Sequence, residues 1–303
     1  FLYNSSMTLT QWKSANDNMT IMSTSGGQTM RIDMHMHSTA SDGQYTPTEL
    51  VRKVKDAGIA IMALTDHDSI GGVEEAVRTA KECGIICIPG IELSIDHENE
   101  LHMLGYGIDI HDRELKAFCE EMVQERSTRN EKIITFLADN GVDVTMEEVA
   151  EKAGSDVIGR PHFARVMVEK GYVSSVKEAF DKYLATEEFS KIERKKPSAR
   201  RGISMIRKAG GVAVLAHPVS LKKTGEAMEE EIRKLASLGL SGIETYYSTH
   251  TPEQIREYHA LAQKYHLVET AGSDFHGEKV KPTIFLGKKE GGKEWLVDKE
   301  LEQ

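Results

Sequence analysis

Three unbroken apolar runs, Ile59–Leu64, Ile85–Ile88 and Val212–Ala216, constrain the fold more than anything else in the chain. Runs this short without polar alternation fit strands covered on both faces, which is how strands sit in parallel sheets flanked by helices. The intervening segments carry helical periodicity. Pro47–Ala57 is opened by Thr46 as N-cap with Pro47 at the first helical position and closed by Gly58. Gly71–Cys83 ends at Gly84, and Glu226–Leu238 and Pro252–Tyr265 alternate with strands at Gly242–Tyr246 and Leu267–Ala271. With Arg31–His35 as a first strand and Leu101–Tyr106 following a polar turn at His97-Glu98-Asn99, the pattern predicts parallel β/α units.

Between Asp112 and about Lys196 the rhythm changes to helices alone: Arg113–Asn140, Met146–Ala153, Pro161–Lys170 and Val176–Leu184, punctuated by Gly141, Gly154 and Gly171. Two β/α halves around such an insert favour a closed or nearly closed barrel over an open sheet. The expected division is a barrel over 30–112 and 197–290, an all-helical insert over 113–196 capping its mouth, and a tail over 291–303. Residues 1–29, rich in Ser, Thr and Asn, read as a tag or disordered leader ahead of Met30. They hold neither a signal-peptide core nor a membrane span.

Chemistry-bearing side chains recur where these strands stop. His35 and His37 end the first strand, Asp66-His67-Asp68 the second, Glu92 the third, and His217 follows Val212–Ala216. Asp274 and His276 follow the last strand, and His102 lies inside its own. The C-terminal strand ends of a β/α barrel converge on one mouth, so residues far apart in sequence meet there. In His35-x-His37, extended-chain alternation turns both imidazoles to one side. Imidazole with carboxylate suits Zn²⁺, Mn²⁺ or Fe²⁺ and disfavours Mg²⁺ alone. A divalent cation lowers the pKa of its water from 15.7 to about 7, so hydrolysis needs no protein nucleophile. The chain accordingly lacks a Gly-x-Ser-x-Gly elbow and a P-loop.

The segments His35-Met-His37-Ser-Thr-Ala-Ser-Asp42-Gly43, Leu64-Thr-Asp66-His67-Asp68, Pro89-Gly90-Ile-Glu92, Ala216-His217-Pro218 and Gly272-Ser-Asp274-Phe-His276-Gly277 together resemble the polymerase and histidinol phosphatase (PHP) family. The likeness runs from about Arg31 to Gly287 and includes the helical insert of one bacterial subgroup. It implies a distorted TIM-like (β/α)7 barrel and two to three divalent cations, drawn from Mn²⁺, Zn²⁺, Fe²⁺ or Mg²⁺. One cation is implied at His35, His37, Glu92 and Asp274, a second at Glu92, His102 and His217, and a third at Asp42, His67 and His276. The implied reaction is phosphomonoester hydrolysis on a nucleotide, AMP or a nucleoside 3′,5′-bisphosphate, with short RNA ends as a further substrate.

Beyond these ligands, Gly159-Arg160-Pro161-His162-Phe163 opens a helix of the insert. There Arg160 is a candidate for phosphate binding, and His162 for substrate contact or leaving-group protonation. Arg129, Lys195, Lys196, Arg200 and Arg201 form a candidate basic patch, although Lys and Arg clusters are more often solvated faces. His250 is a candidate pocket residue against the alternative of an exposed loop, and His276 is a candidate for catalysis as well as ligation. Asp66 or Asp68 is expected to orient an imidazole, with helix capping the alternative for Asp68.

The net charge of −10 argues against gripping long duplex nucleic acid by charge, yet bound cations reverse the local sign for a small phosphorylated substrate. Three cysteines, Cys83, Cys87 and Cys119, fit a reducing cytoplasm. Competing readings are a histidinol phosphate phosphatase, a short-RNA exonuclease, an amidohydrolase and a non-catalytic metal-binding module. An amidohydrolase shares His-x-His and the last-strand Asp but has no need of Asp42, His67 and His276 together.

Overall fold

The computed structural model describes residues 29–153, 157–288 and 294–298. Within them the strands are β1 (Thr29–Asp33), β2 (Ile61–Leu64), β3 (Ile86–Ile95), β4 (Leu101–Tyr106), β5 (Val212–Leu215), β6 (Gly242–Tyr247), β7 (Val268–Gly272) and β8 (Leu296–Asp298). They form one sheet in the order β7-β6-β5-β4-β3-β2-β1-β8. The sheet curls until its two sides meet: Met34 N donates to Ala271 O at 2.9 Å and His37 N to Phe275 O at 2.9 Å, joining the chain beyond β1 to β7 and the segment after it. A nearly closed seven-strand barrel results: the alternation of strands and helices predicts the closure, and the family resemblance implies the seven strands. Ile32, Leu104, Tyr106, Val212 and Val214 from β1, β4 and β5, with Met34 and Ala216 just past β1 and β5, belong to one buried cluster with Trp295.

Two features depart from a purely parallel barrel. β4 runs antiparallel to both neighbours, pairing Glu92 with Leu104 and Ser94 with His102 on one side and Leu104 with Val214 on the other. The cause is the short connection: parallel return needs a crossover of about a dozen residues, and the turn at His97-Glu98-Asn99 allows only a hairpin. β3 also continues through Pro89-Gly90 to Ile95, so Glu92 lies inside a strand and not past its end. The second departure is β8, antiparallel to β1. Leu296–Asp298, expected as tail, pair antiparallel with Thr29–Arg31 and cover the outer side of β1. Glu294 bridges to Lys288 and Trp295 is buried, while residues 1–28, 291–293 and 299–303 of the expected leader and tail lie outside the described residues.

Helices α1 (Pro47–Asp56) and α2 (Val73–Cys83) pack against β2 through Leu50, Val51, Val54, Ala76 and Ala80. Thr46 and Glu49 close a reciprocal capping box at the start of α1, as the sequence indicates. α3 (Arg113–Asp139) is 27 residues, roughly 40 Å at about 1.5 Å per residue. Its first half puts Leu115, Phe118 and Met122 on the barrel, whereas Ile133 and Leu137 join a separate core with Phe163, Met167, Leu184 and Phe189. That second core collects α4 (Met146–Ala153), α5 (Arg160–Glu169), α6 (Val176–Ala179) and α7 (Glu187–Ser190). α6 does not reach Leu184 as one α-helix; Phe180–Leu184 widens into a π turn. The barrel resumes with α8 (Ala199–Lys208), α9 (Gly225–Ser237) and α10 (Pro252–Tyr265).

Candidate active site

The strand directions explain why distant residues meet. His35 and His37 follow β1 in extended chain, with Met36 between them fully buried and bridged to Phe275. Alternation therefore sends both imidazoles to the opposite face, their ring centroids 5.3 Å apart. Because β4 is antiparallel, its first turn of chain lies at the same mouth as the C-terminal ends of the parallel strands. His102, at the start of β4, reaches the site for that reason.

Glu92 is the hub. Its Oε2 lies 3.2 Å from His35 Nε2, 3.1 Å from His37 Nε2 and 3.0 Å from His67 Nδ1. Its Oε1 lies 3.0 Å from His102 Nδ1 and 3.0 Å from His217 Nε2. Asp274 Oδ1 stands 3.6 Å from His35 Nε2 and 3.3 Å from His37 Nε2, while His276 Nε2 is 3.2 Å from Asp42 Oδ1. Donor atoms bound at about 2.0–2.1 Å to one tetrahedral ion stand roughly 3.3 Å from each other, so this spacing is that of a coordination shell. Among the described residues, three groups are compact enough to hold an ion: His35, His37, Glu92 and Asp274; His37, Asp42, His67 and His276; and His67, Glu92 and His102. The first corresponds to the set the resemblance implies. His67 belongs to both of the others, and His217, in none of the three, borders the last of them through Glu92 Oε1 and the His102 ring.

The donors also lack other partners. His35 Nε2, His37 Nε2, Asp42 Oδ1, His67 Nδ1 and Glu92 Oε2 are buried without a hydrogen bond. Buried polar atoms are ordinarily satisfied, and orphans concentrated at one point mark the place of an ion. The residues present therefore fit divalent cations. Electrostatics agree with an acidic pocket lined by imidazole. Burial alone would raise Glu92, but His67, His35 and His102 hold it well below the ordinary carboxylate range. Asp42 and Asp274 are depressed in the same way, against burial, chiefly by His276 and His67 for the first and by Lys281 and His276 for the second. Burial opposes the charged form of His37, yet Asp274 and Glu92 outweigh it and push its pKa up to about 9. For His67 burial prevails and the pKa falls well below the usual value.

Around this centre, loops are tied down by specific bonds. Asp66 touches no imidazole directly; its carboxylate takes Ser38 N at 2.8 Å, Ser38 Oγ at 2.7 Å and Ser41 Oγ at 2.6 Å, fixing the loop that carries Asp42, and Ser41 Oγ in turn lies 3.5 Å from His37 Nδ1. Gly43 closes that loop, where a Cβ would sit 2.3 Å from His37 O. Asp68 is neither a cap nor an imidazole partner. It is fully buried and accepts from Arg126 Nη2 at 2.6 Å, Arg194 Nη1 at 3.0 Å and Ser94 N at 2.8 Å, joining the barrel to the insert. Tyr247 and Lys281 bond Asp274 Oδ2 at 2.9 and 2.6 Å, leaving Oδ1 to face the histidines. Arg165 donates from Nη2 to Asp42 O at 3.0 Å, and it, Arg126, Arg194, Glu244, Tyr247 and Lys281 were not singled out from the sequence. Only Glu244 carried a signal there, an acid within the otherwise uncharged strand Gly242–Tyr246.

The candidate substrate residues divide. His162 is fully buried on the first turn of α5, where its Nδ1 accepts from Gly159 N at 3.0 Å and its Nε2 has no partner. Burial lowers its pKa to about 4, so the ring is neutral. Arg160 bonds Leu184 O at 3.4 Å and stacks over Phe180, with burial lowering its pKa and Glu100 opposing. Arg129 bonds Ile192 O at 3.0 Å; burial, then Arg160 and Arg194, hold it down to about 10. Lys195 is exposed and lines a surface groove of about 410 Å³ with Arg129, Lys132, Arg194 and Lys196. It is Arg194, one residue earlier, that turns inward. Arg200 is exposed, and Arg201 pairs with Glu121 outside the barrel. His250 is buried, not exposed on a loop: its Nδ1 is 3.0 Å from Thr245 O and its ring lies between Tyr247 and Tyr258.

The comparisons with known proteins agree with this geometry. The PHP domain model matches residues 33–188. A 5′-3′ exoribonuclease of Haemophilus influenzae is 33% identical over 82% of this chain and 90% of its own length. A 3′,5′-nucleoside bisphosphate phosphatase of Chromobacterium violaceum is 31% identical over 81% of this chain and 87% of its own. A solved structure from Bifidobacterium adolescentis, described as a metal-dependent phosphoesterase, superimposes with a TM-score of 0.78 at 28% identity, covering 91% of this chain and 95% of that one.

Proposed function

This chain belongs to the PHP family and is a metal-dependent phosphoesterase, and on that premise we propose that it removes a phosphate from a nucleotide, AMP or a nucleoside 3′,5′-bisphosphate. The single observation behind the reading is the set of orphaned buried donors, His35 Nε2, His37 Nε2, Asp42 Oδ1, His67 Nδ1 and Glu92 Oε2, facing one another at the barrel mouth. His35, His37, Glu92 and Asp274 would hold one cation; Glu92 with His102 and His217, and Asp42 with His67 and His276, would hold two more. Mn²⁺, Zn²⁺ or Fe²⁺ suits this nitrogen and oxygen set. Bound divalent cations supply an acidified water and neutralise phosphoryl oxygens.

The chain's own residues do the rest. His276 Nδ1 lies 2.9 Å from Asp274 O, so its hydrogen sits there and Nε2 is left as a donor of electrons toward Asp42's side of the site. That favours ligation over proton transfer for His276. In His162, Nδ1 already accepts a hydrogen bond, so the neutral ring carries its hydrogen on Nε2, buried and unspent. Such a group binds a phosphoryl or sugar oxygen; with a pKa of about 4 it is poorly matched to protonating a leaving group at pH 7. Arg160, at the first turn of the same helix, adds charge for a phosphate. The insert over 113–196 thereby serves as the substrate cap. Free Cys83, Cys87 and Cys119 suit a cytoplasmic enzyme.

A second reading, stepwise hydrolysis of short RNA from its 5′ end, draws support from the groove lined by Arg129, Arg194, Lys195 and Lys196 and from the exoribonuclease relative. The test is phosphate release from AMP, nucleoside bisphosphates, histidinol phosphate and short 5′-phosphorylated RNA, after chelation and Mn²⁺ add-back. Restored release from nucleotides supports the proposal. Turnover of histidinol phosphate alone, or none on any phosphoester by protein that retains metal, contradicts it.

A further inference from the structure

Behind the ring of donors stands a further buried carboxylate, Glu244. Glu244 is fully buried on β6 and each of its oxygens is engaged. Oε1 lies 3.0 Å from His35 Nδ1, and Oε2 accepts the backbone N–H of His217 at 2.7 Å. The two partners stand just past β1 and just past β5. There His35 Nε2 faces Glu92 Oε2 at 3.2 Å, and His217 Nε2 faces Glu92 Oε1 at 3.0 Å.

Local backbone is shaped to permit the contact. The β6–β7 register slips between Glu244 and Tyr246, a bulge of the kind that re-aims a side chain beside a functional site. Gly272, at the end of β7, leaves the path open: a Cβ there would lie 2.4 Å from Glu244 Oε1 and 2.3 Å from His35 Cβ. His217 has φ 25° and ψ 66°, a left-handed conformation that a non-glycine residue adopts only when its surroundings impose it. The bond from its N–H to Glu244 is one such restraint.

We propose that Glu244 is a positioning residue for two ligands at once, fixing the hydrogen of His35 on Nδ1 so that Nε2 faces the cation, and holding the strained backbone that aims His217. A carboxylate only accepts hydrogen bonds, so both contacts require donors, and His35 Nδ1–H and His217 N–H supply them. Replacement by the isosteric amide breaks this symmetry. Gln offers one accepting oxygen, and its NH₂ then confronts a second donor. Loss of such an outer partner weakens metal binding by about 10–100-fold in comparable sites.

The inference rests on the reading that His35 and His217 hold cations, and the experiment separates the two. Zn²⁺ affinity of the full chain is measured by chelator competition for the unaltered protein and Glu244→Gln. In parallel, ¹⁵N-histidine NMR of the Zn²⁺-loaded unaltered protein locates the His35 hydrogen. The expected results are a Zn²⁺ affinity about 10–100-fold weaker in Glu244→Gln, and in the unaltered protein a hydrogen-bonded Nδ1–H on His35 with Nε2 bound to zinc. Zinc bound through His35 Nδ1, or equal affinity in both proteins, overturns the role of Glu244 while leaving the cation site standing. Failure of the unaltered protein to bind Zn²⁺ at all overturns both. The NMR measurement needs no variant, so it remains decisive if Glu244→Gln does not fold.

Discussion

Glu92 carries more of the site than any other side chain, because its two oxygens face histidines from different strands. Removing a donor beside it, by His37→Ala or Asp274→Ala, is expected to abolish Mn²⁺-dependent phosphate release, a loss beyond the ~100-fold typical of an outer partner. Circular dichroism should show the fold retained; activity unchanged with metal content verified contradicts the assignment. His162 gives a pH prediction. Its native pKa of about 4 lies below the ordinary value of 6.5, so on acidification the unfolded chain takes up the proton first. Its contribution to stability is therefore complete above about pH 6.5 and is lost as pH falls toward 4, a change of at most about 3 kcal/mol. His162→Gln keeps an acceptor for Gly159 N–H and removes the titration. Urea unfolding at pH 7 and pH 5 should show a smaller acid loss in the variant than in the parent, and an equal loss contradicts the buried neutral ring. The convergence of His35, His37, His67, His217, Asp274 and His276 was legible in the sequence because residue type and place coincide, each standing just past an apolar strand. Lys281, Tyr247 and Arg194 were not, since their roles come from contacts across the fold that no local spacing encodes.

The elements divide in the same way. Helix α1, with Thr46, Pro47 and Glu49 at its start, was readable in full, as were the buried strands β2 and β5. β4 was readable as a strand but not in direction, although the three-residue turn before it contains the reason. The extent of β3 was hidden by Pro89-Gly90, which reads as punctuation and proves to be part of the strand. Nor did the sequence reveal how the insert attaches. Asp68, itself fully buried, binds the partly buried Arg126 from α3 and Arg194 from the segment after α7. Breaking a buried ion pair from one side costs about 3–5 kcal/mol because the partner charges stay behind. Asp68→Asn should lower stability by that order, and amide exchange should quicken most over residues 157–196. A loss confined to the barrel strands would show that the contact does not hold the insert.

For the molecule as a whole, an acidic chain of net charge −10 encloses a centre of Asp42, Glu92 and Asp274 beside arginines of the insert. Cations that bind only the folded state would reconcile that acidity with an anionic substrate and stabilise the fold by mass action. At a free concentration 100 times Kd the gain is about 2.7 kcal/mol per site. Chelation should therefore lower Tm and Mn²⁺ should restore it, whereas a Tm indifferent to both would deny the centre its structural part. The barrel class and the convergence at its mouth were visible in the alternation of runs and helices, but which imidazole shares which ion depends on three-dimensional placement, and His67 sits between groups that the sequence keeps apart. The most direct measurement is anomalous diffraction from crystals loaded with Mn²⁺. Density for manganese about 2.0–2.3 Å from His35 Nε2, His37 Nε2, Glu92 and Asp274 Oδ1 is the result expected of this site; manganese bound elsewhere, with those atoms empty at saturating metal, contradicts it.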